Sequence, residues 1–137
     1  MPKNKIHLKI ITHEKIVFED DVDEIYSKGV DGEFGVLVDH TPFTSALDIG
    51  VTKIISDNQV NYFAIIGGIF QIINNQAVIL SEDAENGKDI DAAVAKTEKE
   101  KLEAREGSEE YQKDIQNKNK ALAAALARFK AAMNETL

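Results

Sequence analysis

Apolar residues in the first 84 positions come in short alternating or continuous runs, each ended by turn formers. Ile6, Leu8 and Ile10 alternate with His7 and Lys9, the period of a half-buried strand. Further runs cover Ile16 to Phe18, Val22 to Tyr26, Phe34 to Val38, Val51 to Ile55, Val60 to Ile66, Ile69 to Ile73 and Ala77 to Leu80. Asp31-Gly32, Asp57-Asn58, Gly67-Gly68 and Asn74-Asn75 stand between them, where Gly and Asn reach the backbone angles that tight turns need. Many short strands punctuated every ~8–12 residues predict an antiparallel sandwich or barrel.

The period changes after Asn86-Gly87. Asp89 or Asp91 is placed to cap a helix running to about Arg105, and Gly107 to stop it. Ser108, followed by Glu109 and Glu110, opens a second helix with acids at the positive end of its dipole. Tyr111, Ile115, Leu122, Leu126, Phe129 and Met133 then form one stripe on one helical face. The joint Glu106-Gly107-Ser108 is short, so the helices fold back as an antiparallel hairpin. The expected fold class is β + α: an N-terminal antiparallel β-sandwich over residues 1–86, then a C-terminal antiparallel two-helix hairpin over 87–137. The hairpin offers few large apolar residues (Ile90, Val94, Leu102), and Ala121 to Ala127 buries little area. At ~25 cal/mol per Å2 such a surface holds weakly, which makes the hairpin the mobile part.

Composition adds limits. The chain has 137 residues, 43% hydrophobic and 29% charged, the figures of a folded protein with room for one sizeable core. Its formal net charge of −8 argues against nucleic-acid binding. That charge is uneven, with six Lys against thirteen acids up to residue 84 and ten basic against eleven acidic residues afterwards. Cysteine is absent, which removes disulfides and thiolate metal sites. Lys or His interrupts every apolar run of the start, unlike a signal peptide, and no segment approaches the ~20 apolar residues of a membrane span. A soluble intracellular chain without direct membrane insertion is expected.

Candidate chemistry is sparse. Gly29 to Gly35 is glycine-rich, but it lacks the Lys-Ser/Thr ending of a phosphate loop and no helix follows it. His7, His13 and His40 have no metal-ligand spacing, so no metal is expected. Asp39-His40 has no nucleophile elbow or paired carboxylate beside it, and no catalytic residue is assigned. From residue 115 onward Lys118, Lys120, Arg128 and Lys130 face one acid, Glu135, so the far end of the hairpin is locally basic. A solvated helix face explains this, as does a docking face for an acidic protein surface.

Gly32-x-x-Gly35-x-x-x-x-His40-x-Pro42, followed by Ala46-Leu47-x-x-Gly50, resembles the signature of the epsilon subunit of bacterial and chloroplast F-type ATP synthases. Phe63-Ala64-Ile65-Ile66-Gly67-Gly68-Ile69-Phe70, Ala77 to Leu80 and Ile90-Asp91 follow in that family's order. The resemblance implies a non-catalytic rotor subunit of the central stalk, whose sandwich joins the gamma subunit to the ring of membrane c subunits during proton-driven ATP synthesis. By matching positions, Glu33, Phe34 and the loop at His40 lie on the c-ring's polar loops, with Gly32, Gly35, Pro42, Gly67 and Gly68 as structural turns.

The resemblance also implies that the hairpin lies folded on the sandwich or extends along gamma into the catalytic head. There the basic face of Lys118, Lys120, Arg128 and Lys130 meets an acidic loop of the beta subunit, beside alpha, and opposes ATP hydrolysis. Members that bind ATP carry Ile/Leu-Asp-x-x-Arg-Ala at the hairpin's start; this chain reads Ile90-Asp91-Ala92-Ala93-Val94-Ala95. Glu85 and Asp91 keep the family's residue types, but Val94 replaces the arginine, and losing a bidentate phosphate donor predicts little or no ATP binding and no cofactor. The implied location is peripheral, on the cytoplasmic side of a plasma membrane or the stromal or cytoplasmic side of a thylakoid. A rival reading is a stand-alone β-sandwich binding module whose helical tail mediates oligomerisation.

Overall fold

The computed structural model describes residues 4–104 and 115–133, with the backbone alone over 102–104 and 115–122. Eight strands are described: β1 (Ile6–Ile11), β2 (Ile16–Val22), β3 (Glu24–Gly29), β4 (Gly32–Leu37), β5 (Phe43–Ser56), β6 (Gln59–Ile73), β7 (Gln76–Leu80) and β8 (Ala84–Asn86). A 3-10 turn at Gly87–Asp89 leads to α1 (Ala92–Ala104), and α2 spans Ile115–Ala132. The sheet runs β2-β1-β7-β6-β5-β3-β4, with β8 beside β6. It doubles over so that inward residues of both halves share one core. Ile6, Leu8, Ile10, Ile72 and Ile79 supply one side; Ile25, Val36, Ile54, Phe63 and Ile65 supply the other.

The expected sandwich and helices are present, and several details differ. Val22 ends β2 and Glu24 begins β3, so the run Val22 to Tyr26 is two strands. Gly67-Gly68 is no chain reversal: β6 continues through it. The register with β5 is the same on both sides, Leu47 with Gly68 and Ile49 with Ile66, so the positive φ of Gly67 and Gly68 marks a local irregularity within one continuous strand. Gly68 has φ of 129° and a Cβ there would lie 2.0 Å from the Leu80 carbonyl oxygen, so only glycine fits. Gly35 likewise sits inside β4, opposite Tyr26, rather than in a turn. Finally, β1 and β7 pair in parallel, whereas all the other described pairs are antiparallel.

Of the two cap candidates, Asp91 starts α1, its Oδ1 accepting the Ala93 and Val94 amides at 2.9 and 3.3 Å, while Asp89 ends the 3-10 turn. The expected joint at 106–108 and Tyr111 lie outside the described residues. Helix α2 packs against α1 and lies on the outer face of β5 and β6, forming a second small cluster. Its buried members are Val51, Ala64, Ile90, Ala95, Ala127 and Ala131, with Ile49, Tyr62, Phe129 and Ala132 around them.

Candidate functional site

Two places gather the residues singled out by the sequence. The first is one end of the sandwich. Alternation along β4 turns Glu33 outward and Phe34 inward. Phe34 packs on Phe43 and Phe70 with ring centroids 5.2 Å apart in each case, and His40 meets Phe43 at 5.7 Å. Phe34 and His40 therefore share one aromatic group, with Phe34 supporting it from beneath. Glu33 lies opposite Lys28 across the β3–β4 pair. It lines an open groove of about 420 Å3 with Tyr26, Lys28 and Lys53, among others, and makes no ion pair among the described residues. Pro42 stands in the loop between β4 and β5, just before Phe43.

The second place is the seat of the hairpin. Arg128 of α2 reaches both the sandwich and α1. Its Nη1 donates to Glu98 Oε2, its Nη2 donates to Glu85 Oε2 at 3.4 Å, and Nε lies 3.0 Å from Glu85 Oε1. That last approach is an ion contact and not a hydrogen bond, since Nε is buried without an acceptor in line. Lys99 of α1 stands over the Phe129 ring at 4.8 Å. Gly87 allows the closest approach: a Cβ there would fall 2.1 Å from the Ala131 carbonyl oxygen. Of the expected basic face, Arg128 points into this contact. The side chains of Lys118 and Lys120 lie outside the described residues, and Lys130 is half-buried on α2. Sequence reasoning gave Glu85 and Arg128 separate duties and missed Glu98, whose only signal was its place on a charged helix.

Val94 is 55% exposed on α1 and offers no donor, Asp91 spends one carboxylate oxygen on the α1 cap, and the Arg128 guanidinium is already held by two carboxylates.

A third cluster lies on the outer face of β1 and β2. The His7 ring donates from Nδ1 to Asp21 at 2.9 Å and from Nε2 to Glu19 at 2.8 Å, an arrangement only the imidazolium satisfies fully. The Asp21 and Glu19 carboxylates hold the His7 pKa above its ordinary value, and His7 in turn holds Glu19 below the usual carboxylate range. Among the described residues, no group of three or more His, Asp or Glu could hold a metal ion.

Residues 5–87 match the β-sandwich domain of the ATP synthase delta/epsilon chain. This chain belongs to that family. Its similarity to epsilon chains also spans the helices. An ATP synthase epsilon chain of Desulforamulus reducens is 34% identical over 125 residues, 91% of this chain and 95% of the relative. One of Nitratidesulfovibrio vulgaris is 34% identical over 132 residues, 96% and 98%. The same fold occurs in a chain from the cryo-EM structure of the Euglena gracilis mitochondrial ATP synthase containing OSCP, F1 and the c-ring. That chain superposes with a TM-score of 0.79 at 21% identity, covering 94% of this chain and 81% of its own. As an epsilon chain, the protein is a non-catalytic subunit of the ATP synthase. No described helix is long and apolar enough to cross a membrane.

Proposed function

We propose that the chain is the central-stalk epsilon subunit of an F-type ATP synthase, coupling the gamma subunit to the c-ring through its sandwich and restraining ATP hydrolysis through its hairpin. The reading places it on the cytoplasmic side of a plasma membrane, or the stromal or cytoplasmic side of a thylakoid, held there by protein partners. An uncovered apolar row supports a partner on the sandwich. Ile11, Leu80, Ile69 and Ala46 stand side by side on β1, β7, β6 and β5, and Ile69 and Leu80 are 50% and 51% exposed. A row of this kind across four strands suits an interface with a large subunit such as gamma. The acidic groups near the Phe34 and His40 end suit basic polar loops of a c-ring.

The observation that carries the regulatory part is the composition of the hairpin's seat, alanines and one arginine fork over residues 49–64 and 85–90, against a core of Ile, Leu, Val and Phe. An element seated so lightly opens without unfolding the sandwich. Residues 1–86 and 87–137 accordingly act as two working parts. Freed from Glu85 and Glu98, Arg128 joins Lys118, Lys120 and Lys130 as a basic face for the acidic loop of the beta subunit, next to alpha. The testing experiment is truncation after Asp89 in the assembled complex. The truncated chain still co-purifies with gamma and the c-ring from detergent-solubilised membranes, and ATP hydrolysis rises. Unchanged hydrolysis and unchanged inhibition by ADP would remove the regulatory part, and a soluble free pool alone would remove the rotor assignment. Calorimetric titration of the full chain with MgATP gives no submillimolar binding.

A further inference from the structure

We propose that Asn75 is the positioning residue of the loop that presents His40, and that Asp39 is a further contact of that loop for a basic partner surface. The proposal rests on the reading of the His40 loop as part of the docking end. Asp39 has φ of 66°, a left-handed conformation that a residue with a Cβ adopts only when something holds it there, Asp and Asn most readily. What holds it there comes from a turn distant in sequence. Asn75 Oδ1 accepts the Asp39 backbone N–H at 2.7 Å, and Asn75 Nδ2 donates to Asp39 Oδ1 at 2.9 Å, across a separation of 36 residues.

Asn75 is itself anchored. It lies in the β6–β7 turn with φ of 60°, and its carbonyl accepts the His7 amide at 2.8 Å, tying the turn to β1. Beyond Asp39, the His40 amide closes a turn on the Leu37 carbonyl at 3.2 Å. His40 Nδ1 faces the Thr41 carbonyl at 2.7 Å, so Nδ1 carries the proton and Nε2 of the neutral ring remains an acceptor. The ring rests edge-on against Phe43.

The clamp therefore aims two acceptors from neighbouring positions. One is the second oxygen of the exposed Asp39 carboxylate, which has no hydrogen-bond partner among the described residues; the other is His40 Nε2. A lysine or arginine on the facing surface satisfies both. Left-handed Asp and Asn also form the tight turns at 57–58 and 74–75; what sets this loop apart is the side-chain amide that reaches it across 36 residues, which a plain connection of β4 to β5 does not need. Strain held by a remote residue is the mark of a loop whose shape is used.

Asn75→Gly tests the clamp, because glycine keeps the left-handed backbone and removes only the amide. In the isolated full chain the Asp39, His40 and Thr41 amides exchange about 10-fold faster, the effect of losing two hydrogen bonds, and the His40 ring resonances move. In the assembled complex, proton pumping per ATP hydrolysed falls while hydrolysis itself is kept. Asp39→Asn separates the two claims: it retains an oxygen for the clamp and removes the charge, so the loop stays protected while coupling falls. Asn75→Asp alone sets two carboxylates against each other and loses loop protection, and adding Asp39→Asn restores it by trading amide and carboxylate. Unchanged exchange at 39–41 in Asn75→Gly overturns the positioning role. His40→Ala guards the reading beneath: if it lowers coupling while Asp39→Asn and Asn75→Gly do not, the docking end stands and this proposal falls. If none of the three lowers coupling, the docking end falls with it.

Discussion

The sandwich and the hairpin bury different things. The sandwich closes over Phe63, Phe70 and a set of fully buried Ile, Leu and Val side chains drawn from seven strands. Each such side chain contributes roughly 1.5–3 kcal/mol of burial. The hairpin's seat buries Ala95, Ala127 and Ala131 against Val51, Ala64 and Ile90. A methyl group buries a fraction of that, so the seat is a shallow minimum whose geometry matters more than its area. Two particular features then decide whether it closes, the missing side chain at Gly87 and the arginine fork on Glu85 and Glu98. Under the proposed reading, the first kind of packing suits a part that passes torque and the second a part that changes place.

The largest effect tests the sandwich. Phe63→Ala removes a fully buried ring from the core and lowers stability by about 3–5 kcal/mol, read as a drop in the urea midpoint. A loss below about 1 kcal/mol would mean that the core is not the rigid member of the pair. Gly87→Ala tests the seat. Its Cβ cannot coexist with the Ala131 carbonyl, so the seated hairpin loses about 1–3 kcal/mol while the sandwich keeps its own unfolding midpoint. The check is a distance label between α2 and β6, which lengthens; an unmoved label with full stability would show that the seat yields easily.

Arg128→Gln has a smaller effect. The fork is partly solvated, with Arg128 27% and Glu98 49% exposed, so its loss shifts the seat by about 1 kcal/mol, roughly fivefold in population. High salt on the intact chain moves the same label in the same direction by screening the fork, and no response to salt would remove it from the account.

The smallest effect belongs to the surface of the sandwich. The folded His7 pKa is raised above 6.5, so its contribution is present in full below that value and lost as pH rises through the folded value. Glu19 has the opposite sign, its contribution being present above 4.5 and lost as pH falls through its lowered value. His7→Gln flattens the alkaline side of the sandwich's pH profile and leaves the hairpin's response to salt unchanged. Thermal melts across pH 5 to 9 check both, and an equally sloped profile in the variant would contradict the assignment.

Much of this contrast was legible in the residues. The strand runs, the turns at Asp57-Asn58 and Asn74-Asn75, the Asp91 cap and the alanine-rich helix are local patterns, and local patterns survive folding. Gly67-Gly68 misled because paired glycines suit a reversal and an irregularity within a long strand equally well. The first half of β5 was missed because small and polar residues, Thr44, Ser45, Ala46 and Asp48, interrupt its alternation; those that face outward need no apolar character. The parallel pairing of β1 with β7 joins residues about seventy apart, beyond the reach of any periodicity. At the candidate sites, His40 and Glu33 stood out by motif, whereas Asn75 and Glu98 act only through partners that the fold delivers.

Amide hydrogen exchange on the intact isolated chain compares the two regions directly. Two tiers are expected, with α1 and α2 amides opening at a free energy well below that of the amides of β1, β5 and β6, and with the gap widening in Gly87→Ala. A single tier, hairpin and sandwich amides exchanging together through one global unfolding, would contradict it.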